Sequence, residues 1–528
     1  MNQANENKSR SGAIFVAIGI FLSRIAGLIR ERAFAHYFGN SDAGDAFKAA
    51  LKIPNFLQNL FGEGVLSASF IPVYAHLLAD SDPEKKLEAK KVASTIWSLL
   101  FLITACLVLL GVFATPFLID VIAPGFVGEK RELTNKLVQI FFPGTGLLVL
   151  SAWCLGILNS HRKFLLSYTA PVAWNITIII FLIYFGQSST QFRLAELTAI
   201  GLVVGSFMQF IVQFPYALKL LNYYKLTLDL KNKSIRTVIK NFFPVVISRG
   251  VVQVSAYIDS MMASLLPSGA VSNLAYAQTI YLLPVSLFGM SISAAELPEM
   301  SSITGTDENI KHKLNMRLTK GINRIAFFIV PSVVAFLLLG NVIISALFQS
   351  GQFDNEATKA VWWVLIGSTV GLLASTLGRL YSSTYYALKD TKTPLKFAFI
   401  RVILTTILGY LFAFPLPRIL QIDPSFGTLG LTASAGIAGW VEFFLLRKSL
   451  NKIIGPTGLN IKYQITLWTC ALIPGFFGYI LNQTFSAHHI LKAMVVCGIY
   501  GVGYFILTYF FRIEESRNTI DKILNKIR

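Results

Sequence analysis

Apolar runs of roughly 18 residues or more recur from one end of this chain to the other. Each is long enough to cross about 30 Å of hydrocarbon as a helix. Composition agrees: 54% of the 528 residues are hydrophobic and 14% charged, where soluble domains carry about 25% charged residues. The expected fold is therefore an all-α polytopic membrane protein, and a water-soluble enzyme with one buried core is excluded.

Cys106, Cys154, Cys470 and Cys497 lie scattered in apolar stretches, with neither a disulfide framework nor zinc-ligand spacing. The formal charge of +19 does not point to nucleic acid, because most Lys and Arg lie in short loops between apolar runs. There they read as topology signals and contacts for anionic lipid headgroups. The polar N-terminal tail leads into a span without an A-x-A-like cleavage site, so a retained first helix is expected and not a signal peptide.

Hydropathy divides the chain into about fourteen spans, beginning with roughly 11–38 and 44–76. Later ones include spans seven (241–266), eight (270–300), ten (360–386), eleven (397–414) and twelve (427–446), ending at 490–511. With a cytoplasmic N-terminus, about 32 of the 46 Lys and Arg fall on the cytoplasmic side and about seven outside. Both termini are then cytoplasmic. A basic loop (219–240) separates two blocks of six spans, giving lobes at 1–230 and 231–450 and a C-terminal appendage at 451–528. Such repeats are common in transporters, with the substrate site between the halves. Residues 512–528 place Ile513, Ile520, Ile523, Leu524 and Ile527 on one helical face, the pattern of an interfacial helix or of a solvated tail helix.

Charged side chains inside a membrane cost at least about 2.5–3.5 kcal/mol each at a helix centre, so they face a wet cavity or a partner. Span one carries Arg24, Arg30, Glu31 and Arg32, with Arg24, Gly27 and Glu31 on one face. Span two carries a polar stripe of Asp45, Lys48, Lys52, Asn55, Asn59 and Glu63, broken by Pro54, Gly62, Gly64 and Pro72. Span seven has Arg249 and Asp259, and span ten aligns Arg379, Ser383, Tyr386 and Asp390. These groups either pair among themselves as interhelical glue or present a surplus of positive charge to an anionic guest. A lipid phosphate or diphosphate is the natural guest, which Arg grips bidentately. No Walker A motif, acidic pair in a large loop or nucleophile elbow is present, so a transporter is expected and not an enzyme.

The stretch Ser23-Arg24-Ile25-Ala26-Gly27-Leu28-Ile29-Arg30-Glu31 resembles the SRxxGxxRD/E signature of the MurJ (MviN) lipid II flippase family. Further matches are Lys52-Ile53-Pro54-Asn55, Glu63-Gly64, Phe70-Ile71-Pro72, Ala123-Pro124-Gly125-Phe126, Gly156-Ile157-Leu158-Asn159 and Tyr386-Ala387-Leu388-Lys389-Asp390. The resemblance implies two six-helix lobes in a V shape plus two C-terminal helices. It also implies transfer of the undecaprenyl-pyrophosphate-linked disaccharide-pentapeptide precursor of peptidoglycan across the bacterial cytoplasmic (inner) membrane. Carried over as cargo-binding residues are Arg24, Arg30, Asp45, Lys52 and Glu63. The chain departs from the family pattern at Gln58, Gln278-Thr279 and Leu282, where members carry charged residues, and Lys48 and Arg249 are expected to restore the lost cations. Some members resemble sodium-coupled transporters. The matching oxygens here are those of Asp259, Asp390, Thr406 and the Val402 carbonyl, hard ligands suited to that ion. Tyr386 stands where an amide oxygen is expected, and Asp390 equally suits the cap of a loop.

The expected mechanism is alternating access by a monomer that requires no cofactor beyond a sodium ion at most. Arg24, Arg30 and Arg249 hold the diphosphate, and the stripe through Asn55 and Asn59 offers polar contacts to sugar or peptide. Rival readings are an exporter of another lipid-linked oligosaccharide or of a drug, a paralogue that no longer transports, and a membrane scaffold.

Overall fold

A computed structural model describes residues 2–222, 227–303 and 306–527, and side chains outside 2–15, 17, 63, 247–256, 307 and 522–527. The described chain is helical, its only strand-like feature a Ser350–Phe353 bridge. It divides into two compact units, Met1–Val271 and Ser272–Arg528.

The first unit holds α1 (Asn2–Phe38), α2 (Asp42–Phe61), α3 (Glu63–Ser69), α4 (Ile71–Ala79), α5 (Pro83–Ile122), α6 (Gly128–Ser160), α7 (Phe164–Phe185), α8 (Gln191–Leu221) and α9 (Lys233–Ser264). The second-span stretch is three helices and not one. At Gly62 the backbone turns extended, and a Cβ there would lie 2.2 Å from the Gln58 carbonyl oxygen. The chain restarts as α3, and Pro72 occupies the first turn of α4, where its missing N–H costs nothing. A buried core ties α3–α6, α8 and α9 together, with Trp97 against Trp153 at 4.9 Å and stacked on Phe214 at 5.1 Å. Trp153 lends its indole N–H to the Ala93 carbonyl at 3.1 Å, satisfying the one polar group such a core residue brings.

The chain continues with α10 (Ala270–Pro284), a π-helical turn at Val285–Met290, α11 (Ser291–Ser301), α12 (Asp307–Phe348), α13 (Asn355–Ala387) and α14 (Lys392–Ala413). Then follow α15 (Pro415–Ile419), α16 (Gly427–Ile454), α17 (Ile461–Thr484), α18 (His489–Phe510) and α19 (Glu514–Ile527). Helices α13 and α16 cross at Gly371 and Gly436, where a Cβ on Gly371 would sit 2.4 Å from the Gly436 Cα. Helix α18 is fastened to α12 by the Tyr500 and Tyr504 hydroxyls, which donate to the Pro331 and Phe327 carbonyls.

Among the described residues, eleven helices are long and apolar enough to span a membrane, against about fourteen expected. The α2–α4 stretch is not among them because it is broken twice and carries Asp42, Asp45, Lys48 and Lys52. Helices α1 and α9 are 37 and 32 residues long, but part of each lies outside the described side chains.

The expected lobe boundary at 230/231 differs from the division at Val271/Ser272. The reason is that α9, expected to open the second lobe, packs on α2, α3 and α5. Residues 451–528 likewise lie within the second unit, because α17 and α18 pack on α12. The tail helix α19 is docked at its start: Ser516 is buried with its hydroxyl near Thr508, and Glu515 accepts from the Tyr463 hydroxyl.

Candidate functional site

Helix α1 brings its charged turn against α7. Gly19 lets the crossing close, since a Cβ there would come within 2.6 Å of the Tyr168 Cβ. About three turns further on, the Arg30 guanidinium lies 4.7 Å from the centre of the Trp174 ring on α7. Arg30 also donates to Glu31 at 2.7 Å. The other carboxylate oxygen of Glu31 accepts from the Lys48 ammonium on α2, which rests 4.3 Å from the Phe34 ring centre. Side-chain exposures are 22% for Arg30, 14% for Glu31 and 8% for Lys48. One acid is thus shared by two cations, and the trio keeps a net positive charge. Cation–π contact with Trp174 and Phe34 offsets part of the desolvation that this charge requires. Arg24, earlier on the same helix, is exposed, with no acid among the described residues at ion-pair distance.

The remaining stripe on α2 divides into two environments. Ala43 to Lys48 are buried, whereas Asn55 and Asn59 are exposed and Lys52 and Gln58 half-buried. Lys52 has Asp259 of α9 as its electrostatic partner. Its carbonyl accepts from the Tyr257 hydroxyl, and Tyr257 meets Phe56 edge-on at 5.5 Å. The side chains of Glu63 and Arg249 lie outside the described residues. Of the departures, Thr279 bonds back to the Ala275 carbonyl at 3.0 Å and Leu282 is exposed.

Asp45, expected among the cargo contacts, is placed elsewhere. It is 1% exposed and accepts from Lys130 at 2.8 Å and from the Gly269 N–H at 2.8 Å. Asp42 takes the same ammonium at 2.7 Å and the Ser268 hydroxyl at 2.7 Å. The start of α2 is thereby tied to the start of α6 and to the loop after α9. Lys130 went unnoticed in the sequence because it reads as an ordinary loop cation.

Within the second unit, two members of the expected sodium set, Asp390 and Thr406, do not come together. Asp390 accepts from the backbone N–H groups of Lys392 and Thr393, each at 3.0 Å, and from the Thr393 hydroxyl at 2.6 Å. Those bonds hold its carboxyl below the usual carboxylate range and make it the cap at the start of α14. Thr406 donates to the Val402 carbonyl at 2.9 Å as an ordinary helical side chain. Fourteen residues of helix, about 21 Å, separate Lys392 from Thr406, so Asp390 and Thr406 cannot share one ion. Sequence reasoning also missed Arg401 on α14 and Glu442 on α16, which pair at 3.1 Å. Each is a lone charge in an apolar run, and that isolation is the signal that marks them.

Solved structures with this arrangement are membrane transporters. An inward-facing MATE family multidrug transporter of the MOP superfamily covers 84% of this chain and 98% of its own at TM-score 0.63 and 16% identity, which defines the fold. A structure of the lipid II flippase MurJ in an inward closed conformation matches more fully. It covers 94% of this chain and 99% of its own at TM-score 0.76 and 29% identity. The probable lipid II flippase MurJ of Rickettsia prowazekii (strain Madrid E) is 29% identical over 527 residues, covering 97% of this chain and 99% of the relative. The sequence model of the family described as "Lipid II flippase MurJ" matches residues 34–499. The chain belongs to that family, which makes it a multi-pass membrane transporter and not an enzyme.

Proposed function

We propose that this chain moves lipid II, the undecaprenyl-diphosphate-linked precursor of peptidoglycan, from the inner to the outer leaflet of the cytoplasmic membrane by alternating access. The observation that carries the reading is the trio on α1 and α2, where Arg30 and Lys48 are gathered on Glu31 inside the bundle. Cations gathered inside a span suit an anionic guest, and a diphosphate supplies it. Arg24 and Arg30 contact the phosphates, and Asn55 and Asn59 meet sugar or peptide. The membrane potential drives the return of the positively charged carrier, at about 2.3 kcal/mol per charge per 100 mV. Both termini are cytoplasmic, which places the basic starts of α5 and α9 against anionic headgroups, and the transporter acts as a monomer.

The test is replacement of a resident flippase in a bacterium depleted of it. Expression of this chain restores growth and clears precursor from the inner leaflet, and Arg30→Ala or Lys48→Ala abolishes both effects. If inner-leaflet lipid II stays high in cells where the chain reaches the membrane, the assignment fails. Clearance of another diphosphate-linked glycan in the same cells would assign the chain that cargo.

A further inference from the structure

The second unit holds a charged pair that this reading does not use. Arg401 sits near the middle of α14, nine residues from Lys392 and twelve from Ala413, or about 13 Å and 18 Å along the axis. Glu442 is equally central in α16 (Gly427–Ile454). The two helices pack so closely that a Cβ on Gly430 would lie 2.4 Å from the Phe412 carbonyl oxygen. Both lie inside the expected spans 397–414 and 427–446, four residues from one end of each.

The pair is lopsided. A single contact, Arg401 Nη1 to Glu442 Oε2 at 3.1 Å, joins the two groups. The Arg401 side chain is 38% exposed and that of Glu442 14%. A guanidinium carries five donors in a planar fork, and the Nε–Nη2 edge of this one has no partner among the described residues. Exposed hydroxyl-bearing Tyr386 of α13 lies in electrostatic reach of Glu442. A single-point pair fixes the acid against one nitrogen of the guanidinium and leaves the rest of the fork uncommitted. This one uses the acid to orient the base and leaves the bidentate edge of the base open.

We propose that Arg401, oriented by Glu442, is an oxyanion contact for the cargo on the second unit, distinct from the α1–α2 trio. The inference rests on the proposed function. An open guanidinium edge fits a carboxylate or a phosphate oxygen pair, and lipid II offers both, in its peptide and in its diphosphate.

The experiment measures lipid II translocation by the full chain in proteoliposomes, alongside its thermal unfolding. Failure of the unaltered chain to translocate lipid II overturns the proposed function itself. Where that chain is active, Arg401→Ala is expected to lower translocation about tenfold or more, the loss of a charged hydrogen bond. The reversed pair, Arg401→Glu with Glu442→Arg, is expected to restore the unfolding temperature without restoring translocation, because the open edge then projects from the wrong helix. Full translocation by Arg401→Ala, or its rescue by the reversed pair, shows a merely structural bridge and overturns the inference. Lipid II with amidated peptide carboxylates identifies the oxyanion. The penalty of Arg401→Ala disappears with that cargo if a carboxylate is bound and persists if the diphosphate is.

Discussion

Lys130 holds Asp45 at 2.8 Å where α6 begins beside α2, and Asp45 is almost wholly buried. Removing one partner of a buried pair leaves the other uncompensated, at about 3–5 kcal/mol. Lys130→Met should therefore lower the unfolding temperature in detergent far more than Lys130→Met combined with Asp45→Asn. A double-mutant cycle reads the coupling. Additive effects would mean that the two groups do not depend on each other.

Glu31 should behave differently from the cations it serves. Glu31→Gln removes the carboxylate that Arg30 and Lys48 both pair with. That substitution is expected to destabilise by about 3 kcal/mol or more, whereas Lys48→Met on the same background should recover much of the loss. Transport should not recover, because Lys48 is gone. Unfolding and precursor clearance measured on the same preparations separate the two roles.

Gly62 ends α2 where a Cβ would collide with the Gln58 carbonyl oxygen at 2.2 Å. Gly62→Ala must shift the backbone at the break between α2 and α3. We expect reduced transport at normal membrane abundance, with a milder effect from Gly64→Ala. Equal activity of Gly62→Ala and the unaltered chain would show that the break plays no part in the cycle.

His161, in the turn after α6, shares a hydrogen bond between its Nε2 and the Tyr74 hydroxyl at 3.0 Å. Burial, with Lys163 nearby, holds its imidazole below the ordinary histidine range. The folded state therefore binds fewer protons than the unfolded one just below that range. The stabilisation is complete above the unperturbed value of about 6.5 and is lost as pH falls through the lower folded value. Unfolding temperatures across this interval should fall with acid in the unaltered chain and flatten in His161→Gln. Tyr74→Phe should cost about 0.5–1.5 kcal/mol at neutral pH.

The fold class was legible because each span is a local matter: whether some twenty consecutive residues belong in hydrocarbon depends on those residues alone. The breaks in the second span were legible for the same reason, from Gly62 and Pro72. Which charges would meet was not. Asp45 and Lys48 are three residues apart in one polar stripe, yet Asp45 is taken by Lys130 of α6 and Lys48 by Glu31 of α1. Asp390 and Thr406 looked like parts of one ion site, but Asp390 precedes α14 and Thr406 lies well along it, while Arg401 and Glu442 drew no attention singly and form a pair.

The sequence by itself determined that the chain is a bundle of membrane helices carrying charged side chains within its spans. Only the tertiary structure decided which acid neutralises which cation, which guanidinium keeps an open edge, and that α9 packs with the first unit. A charge declares its cost wherever it stands in the sequence, but its partner is set by which helix faces it across a few ångströms, and helices far apart in the chain become neighbours only through packing.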